Sequence, residues 1–144
     1  MNNQTEQQLS SELQELYLEN KQWLSDVLFL EDEAAFFQKL FESVLLSAVK
    51  ENLVTEILFI NASLKQLEER RKEQKKLILK HQHLLENLIK DQSKKIGLDL
   101  IIDNEKIIEE IKSLFISEKL LKKELYILVE TSIQKNKASR LLTH

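Results

Sequence analysis

The sequence predicts an all-α fold, an antiparallel bundle of three long helices. Two observations carry that expectation. The 144 residues include one Gly and neither Pro nor Cys, where average usage would supply about ten Gly and seven Pro. Sandwiches, barrels and Gly-loop sheets need those turn residues, so they are set aside. Apolar residues also recur at alternating steps of three and four along most of the chain, the signature of helices with one buried face.

The first seam runs Leu9, Leu13, Leu16, Asn20, Trp23, Val27, Leu30, Ala34, Phe37, Phe41, Val44, Ala48. It predicts a helix over roughly 6–50. A second seam runs Ile57, Ile60, Leu64, Leu67, Arg71, Gln74, Ile78, His81, Leu85, Leu88 and predicts a helix over 53–96. The phase slips between Ala48 and Ile57, which reads as a turn with Asn52 as its pivot or N-cap. Lys94 and Lys95 suit a helix C-terminus, and Gly97 suits the left-handed position after it. Asp103 then N-caps a third helix over 103–138, with Ile102 and Ile107 spaced as a hydrophobic staple. That helix carries Ile107, Ile111, Leu114, Leu121, Leu125 and Leu128 on one face. The alternative is a four-helix bundle with a break at residues 31–33, where Asp32 would cap a new helix. Against it, the first seam keeps phase from Leu30 to Ala34. The pairs Glu68→Lys72, Glu86→Lys90 and Glu118→Lys122 are expected on exposed faces, in the favourable order. The whole chain, 1–144, reads as one domain.

Net charge is −3, but the halves differ. Residues 1–60 hold 3 Lys against 11 acidic residues, and 61–144 hold 18 Lys and Arg against 13 acidic residues. The absence of Cys removes thiolate metal sites, disulfides and a Cys nucleophile. The first residues show no secretory signal pattern, and no apolar run reaches the ~18 residues of a transmembrane helix. A cytoplasmic protein of bacterial style is the expectation, with no membrane or nucleic-acid partner.

Four features are weighed for chemistry. Residues 68–76 are polar on every face of a helix. Folding the chain near residue 52 sets Arg71 opposite Asp32. A charged belt of Glu31, Asp32, Glu33, Arg70 and Arg71 follows, with Lys122, Lys123 and Glu124 at the same level. It reads first as a register-fixing ion-pair layer and second as a ligand or partner site. His81, His83 and Glu86 offer only a single His-x-x-Glu, whereas di-metal bundles use the Glu-x-x-His order on paired helices. One buried and one solvent-facing His is the plainer reading, and no metal or cofactor is expected. Among the aromatic residues Trp23, Phe29, Phe36 and Phe37, Phe29 and Phe36 lie off the seam that holds Trp23 and Phe37, and with Leu18, Leu24, Leu28, Leu40, Leu45 and Leu46 they widen the apolar arc of the first helix. That arc is either core or an interface for another chain. The Lys-rich surface from Lys75 to Arg140 is interleaved with Glu and reads as a solvated face. No phosphate loop, HExxH or nucleophile elbow occurs.

The functional expectation is a non-enzymatic interaction, scaffold or regulatory module that self-associates or docks a partner helix. The alternatives are a metal- or small-ligand-binding bundle and, more remotely, a basic-surface binder of nucleic acid or membrane.

Overall fold

The computed structural model describes the backbone of residues 2–91 and 96–143, with side chains over 11–91, 96–138 and at Leu141. The described residues form three helices, α1 (Asn2–Lys50), α2 (Val54–Lys90) and α3 (Leu98–Thr143), packed as an all-α three-helix bundle. Helix α1 passes through residues 31–33 without a break, so the four-helix alternative is not adopted. Leu30, Ala34 and Phe37 stay buried in phase across that stretch, while Asp32 is exposed and has no helix start to cap.

The seams behave as the spacing predicts. Leu13, Trp23, Val27, Leu30, Ala34, Phe37, Phe41 and Ala48 of α1 are buried, and so is Asn20. On α2 the polar seam members Arg71, Gln74 and His81 are buried alongside Ile60, Leu64, Leu67, Ile78 and Leu85. The position therefore wins over polarity at four places where a helix face must turn inward. Each such side chain costs free energy unless it finds a partner.

The turn between α1 and α2 is a Schellman motif centred on Asn52. Its φ is +62°, the left-handed region that Asn tolerates better than other non-glycine residues. The Leu53 N–H donates to the Ala48 carbonyl at 2.9 Å, and the Asn52 N–H donates to Val49 at 3.0 Å. Those are the two bonds that close orphan carbonyls at a helix C-terminus. Leu53 buries itself against the same core as Ala48, which supplies the hydrophobic contact of the motif. Asn52 is thus the pivot. The Leu53 carbonyl accepts the first bond of α2, from the Ile57 N–H at 3.0 Å.

The second connection departs from expectation. Helix α2 ends at Lys90 rather than 96, and Lys94 and Lys95 lie outside the described residues. Gly97 does not take a left-handed φ. It stands at the entrance of α3, where its carbonyl accepts from the Leu100 N–H at 3.2 Å. Asp103 is consequently inside α3 rather than at its cap, Asp99 is the acid of the first turn, and Ile102 is exposed rather than stapled. The physical reason is Leu100. It lies seven residues before Ile107 on the same face and is buried, so an earlier helix start buries one more large side chain. The third seam then continues through Glu118 and Ser132, both buried. The Glu118→Lys122 pair is therefore not on an exposed face. Glu118 occupies the inward position between Leu114 and Leu121.

Contacts divide the chain into two compact units, Met1–Phe29 with Arg71–Ser113, and Leu30–Arg70 with Leu114–His144. Each contains parts of all three helices.

In the first unit Trp23, Val27, Ile78, Ile107 and Ile111 form one cluster, and Leu13, Leu85 and Leu100 another. Two amides tie the helices together. Asn20 Nδ2 of α1 donates to the Ile78 carbonyl of α2 at 3.2 Å. Gln74 Nε2 of α2 donates to the Ile107 carbonyl of α3 at 2.9 Å. Each bond fixes one register, because a helical carbonyl has a second lone pair to offer and sliding by one residue would leave a buried amide unpaired. The Tyr17 hydroxyl reaches Glu86 at 3.2 Å, and together with Asn20–Ile78 this sets α1 antiparallel to α2.

In the second unit a single cluster runs from Leu30 through Phe37, Phe41, Ala48, Leu53, Ile60, Leu64 and Leu67 to Leu114, Leu121, Leu125 and Leu128. Ser132 Oγ donates to Ser47 Oγ at 2.8 Å, and Arg70 Nη1 donates to Ser117 Oγ at 3.2 Å.

Candidate interaction surface

The four aromatic residues singled out on α1 divide into two kinds. Trp23 and Phe37 are core, Phe37 only 1% exposed. They pack in the interior of their own units. Phe29 and Phe36 are 56% and 55% exposed. The Phe36 ring leans on Phe37 at 6.1 Å between centroids and 60° between planes. Leu18, Leu28 and Leu46 are exposed as well, while Leu24, Leu40 and Leu45 are half-buried. The wide apolar arc of α1 is therefore only partly consumed by the core.

The charged-belt residues are also unlike one another. Arg71 is buried, Arg70 and Glu33 are half-buried, and Glu31 and Asp32 are exposed. Arg70 belongs to the second unit with the three acids, and Arg71 to the first. The described partner of Arg70 within its unit is the Ser117 hydroxyl.

His81 is almost fully buried, with both ring nitrogens lacking a hydrogen-bond partner. Burial holds its pKa below the usual 6.5, and the carboxylate of Asp103 pulls in the opposite direction. His83 is exposed, and Glu86 accepts from Tyr17 and, at 3.5 Å, from Gln82. The three do not converge, and among the described residues no group of three His, Asp or Glu could hold a metal ion.

Of the cationic face, Lys122 lies 5.9 Å from the Tyr126 ring, and outside that face Lys21 lies 4.8 Å from the Tyr17 ring, both local cation–aromatic contacts. No helix of the described residues is long and apolar enough to cross a membrane.

A concavity of the second unit lies between α2 and α3, a groove of about 430 Å³. Leu53 of the preceding turn with Thr55, Glu56, Phe59 and Ile60 of α2 form one wall, and Glu124, Ile127, Leu128 and Thr131 of α3 form the other. Both sets follow helical spacing, so the helical residues of each wall share one face of their helix. Leu53, Ile60 and Leu128 are buried and make an apolar floor. Phe59 and Ile127 stand above it, 58% and 47% exposed. Thr55 and Thr131, with short branched side chains, leave the space open. The two charged lining residues, Glu56 and Glu124, are both acidic, both exposed, and sit on opposite walls. A groove of this kind, apolar below and charged along its edges, accepts an amphipathic helix.

Sequence reasoning placed the apolar excess on α1 and missed this groove. Its signal was present. Phe59 and Ile127 each stand one position off their seams, beside Ile60 and Leu128, so two facing helices both carry a bulky apolar residue at the edge of the core.

A second concavity, in the first unit, is lined by Gln74, Leu77, Lys106, Glu109, Glu110 and Ser113. It has one apolar lining residue and charges of both signs, and it lacks an anchor pocket.

No protein-family model, curated protein or solved structure matches this chain.

Proposed function

We propose that this protein is a non-enzymatic interaction module, a cytoplasmic scaffold or regulatory adaptor that engages another helix through the α2–α3 groove of its second unit. It works without a cofactor or a metal. The observation that supports it is the groove itself, where Phe59 and Ile127 remain exposed above a floor of Leu53, Ile60 and Leu128. Covering the exposed half of two such large apolar side chains is worth roughly 1 kcal/mol each. A bound helix recovers that energy, and helix-in-groove recognition is built from such anchors.

Two measurements test the reading together. Light scattering coupled to size exclusion over a concentration series detects a second copy. Titration with amphipathic helical peptides, read by fluorescence anisotropy, detects a foreign helix. Either interaction, lost in a Phe59→Ser/Ile127→Ser variant that keeps its helical circular dichroism, supports the reading. A wild-type protein that stays monomeric and binds none of the peptides, whatever their charge, overturns it.

A further inference from the structure

We infer that the partner of the α2–α3 groove is a basic amphipathic helix, one apolar along one face and rich in Lys or Arg beside it; the inference rests on the docking role proposed above.

Charge complementarity carries it. Nine of the described residues line the groove, and among them the only charges are the carboxylates of Glu56 and Glu124. One stands on each wall, so a helix lying between the walls has an acid on either side. Lys or Arg flanking the apolar stripe of that helix would reach both, with their aliphatic stems lying over Phe59 and Ile127. An acidic helix would set like charges against both walls, and a neutral one would cover them without a counter-charge. Glu56 also sits in the first turn of α2, where a negative charge suits the helix dipole. Neutralising it therefore tests the fold as well as the groove, and melting curves accompany the binding measurements.

The surrounding charges limit the other occupants. Residues 1–60 are strongly acidic, so α1 of a second copy would meet the groove acid against acid. The basic excess of the chain lies in residues 61–144. A second copy could present only that part, and the scattering experiment separates this case from a foreign partner.

The test uses the full chain and three synthetic peptides of about sixteen residues, long enough to hold a helix on binding. All share one Leu/Phe face, and the flanking positions are Lys, Gln or Glu. The Lys peptide is expected to bind about five- to tenfold tighter than the Gln peptide at low salt, the gain that two exposed ion pairs supply. That advantage should vanish at about 0.5 M salt. It should vanish also in a Glu56→Gln/Glu124→Gln variant with an unchanged melting temperature. It should survive in Glu42→Gln/Glu69→Gln, which removes two exposed acids of the same unit outside the groove. Equal binding of the Lys and Gln peptides overturns the charge inference and leaves the docking groove standing. A preference that persists in Glu56→Gln/Glu124→Gln overturns it too, since the whole-chain charge would then be its source. A concentration-dependent dimer abolished by Phe59→Ser assigns the groove to a second copy and overturns the foreign partner. Binding of no peptide, with no dimer, overturns both the inference and the docking role.

Discussion

The indole of Trp23 lies against the imidazole of His81 in the core of the first unit, 6.2 Å between centroids with the planes tilted by 43°. Neither ring nitrogen of His81 has a hydrogen-bond partner. Trp23 faces it from α1 and Asp103 bears on it from α3. Burial lowers its pKa, and the Asp103 carboxylate offsets part of that shift. Folding is therefore favoured by the neutral ring. Above the unfolded value near 6.5 both states are neutral and stability is full. As pH falls below it, the unfolded chain binds a proton that the folded one refuses, and stability declines until the lowered folded pKa is passed. Thermal melts stepped from about pH 7.5 to about pH 5 should show that decline. In His81→Leu the decline should shrink and the neutral-pH stability should rise by roughly 1 kcal/mol, because two unpaired buried nitrogens disappear. Parallel pH profiles for the two proteins would refute the assignment.

Phe36 and Phe37 are adjacent in sequence and opposite in consequence. Phe37 is in the core of the second unit, whereas more than half of Phe36 is exposed. Phe37→Ala should cost about 3–5 kcal/mol in urea unfolding. Phe36→Ala should cost about 0.5 kcal/mol, the scale of a surface change plus one lost ring contact. Similar losses for the two variants would mean that the helix is rotated from the phase described here.

Those two residues also mark what periodicity can and cannot deliver. The seam through Trp23, Val27, Leu30 and Phe37 located the buried face of α1, because helical packing fixes a direction every three or four residues. The α1 seam also located Asn20, and the α2 seam Gln74 and His81, whose polarity argues against burial. The connection near Gly97 was misread because a lone Gly serves either end of a helix, and the burial of Leu100 decided which. The groove escaped because its walls belong to different helices, and a one-dimensional pattern does not bring Phe59 to Ile127. Glu118 was assigned to the surface by its pairing with Lys122, although its three-residue step to Leu121 marks it as inward.

Arg71 gives a direct measure of how much a buried seam cation contributes. It is 8% exposed, whereas Asp32, its expected opposite number, is exposed. Arg71→Glu reverses the charge at a buried position and should cost about 3 kcal/mol. Asp32→Lys, at an exposed position, should change stability by less than about 0.5 kcal/mol. Urea midpoints for the two variants check both values, and an unchanged midpoint in Arg71→Glu would remove Arg71 from the structural frame.

The α1–α2 turn makes the sharpest backbone prediction. Asn52 holds a φ of +62° so that its own N–H and that of Leu53 can close the last carbonyls of α1. An alanine there keeps both hydrogen bonds but must adopt a left-handed conformation that costs an ordinary L-residue roughly 1–2 kcal/mol. A glycine adopts it freely, while giving the unfolded chain more freedom to lose on folding. Asn52→Ala should therefore destabilise by about 1 kcal/mol, and Asn52→Gly should stay within a few tenths of the wild type. Since the residue is exposed, no packing change confuses the comparison. Both variants should keep the wild-type urea m-value, because the surface exposed on unfolding is unchanged. If alanine proves as good as glycine, the turn does not hold the left-handed residue that joins α1 to α2, and the burial of Leu53 beneath it must be achieved by another backbone path.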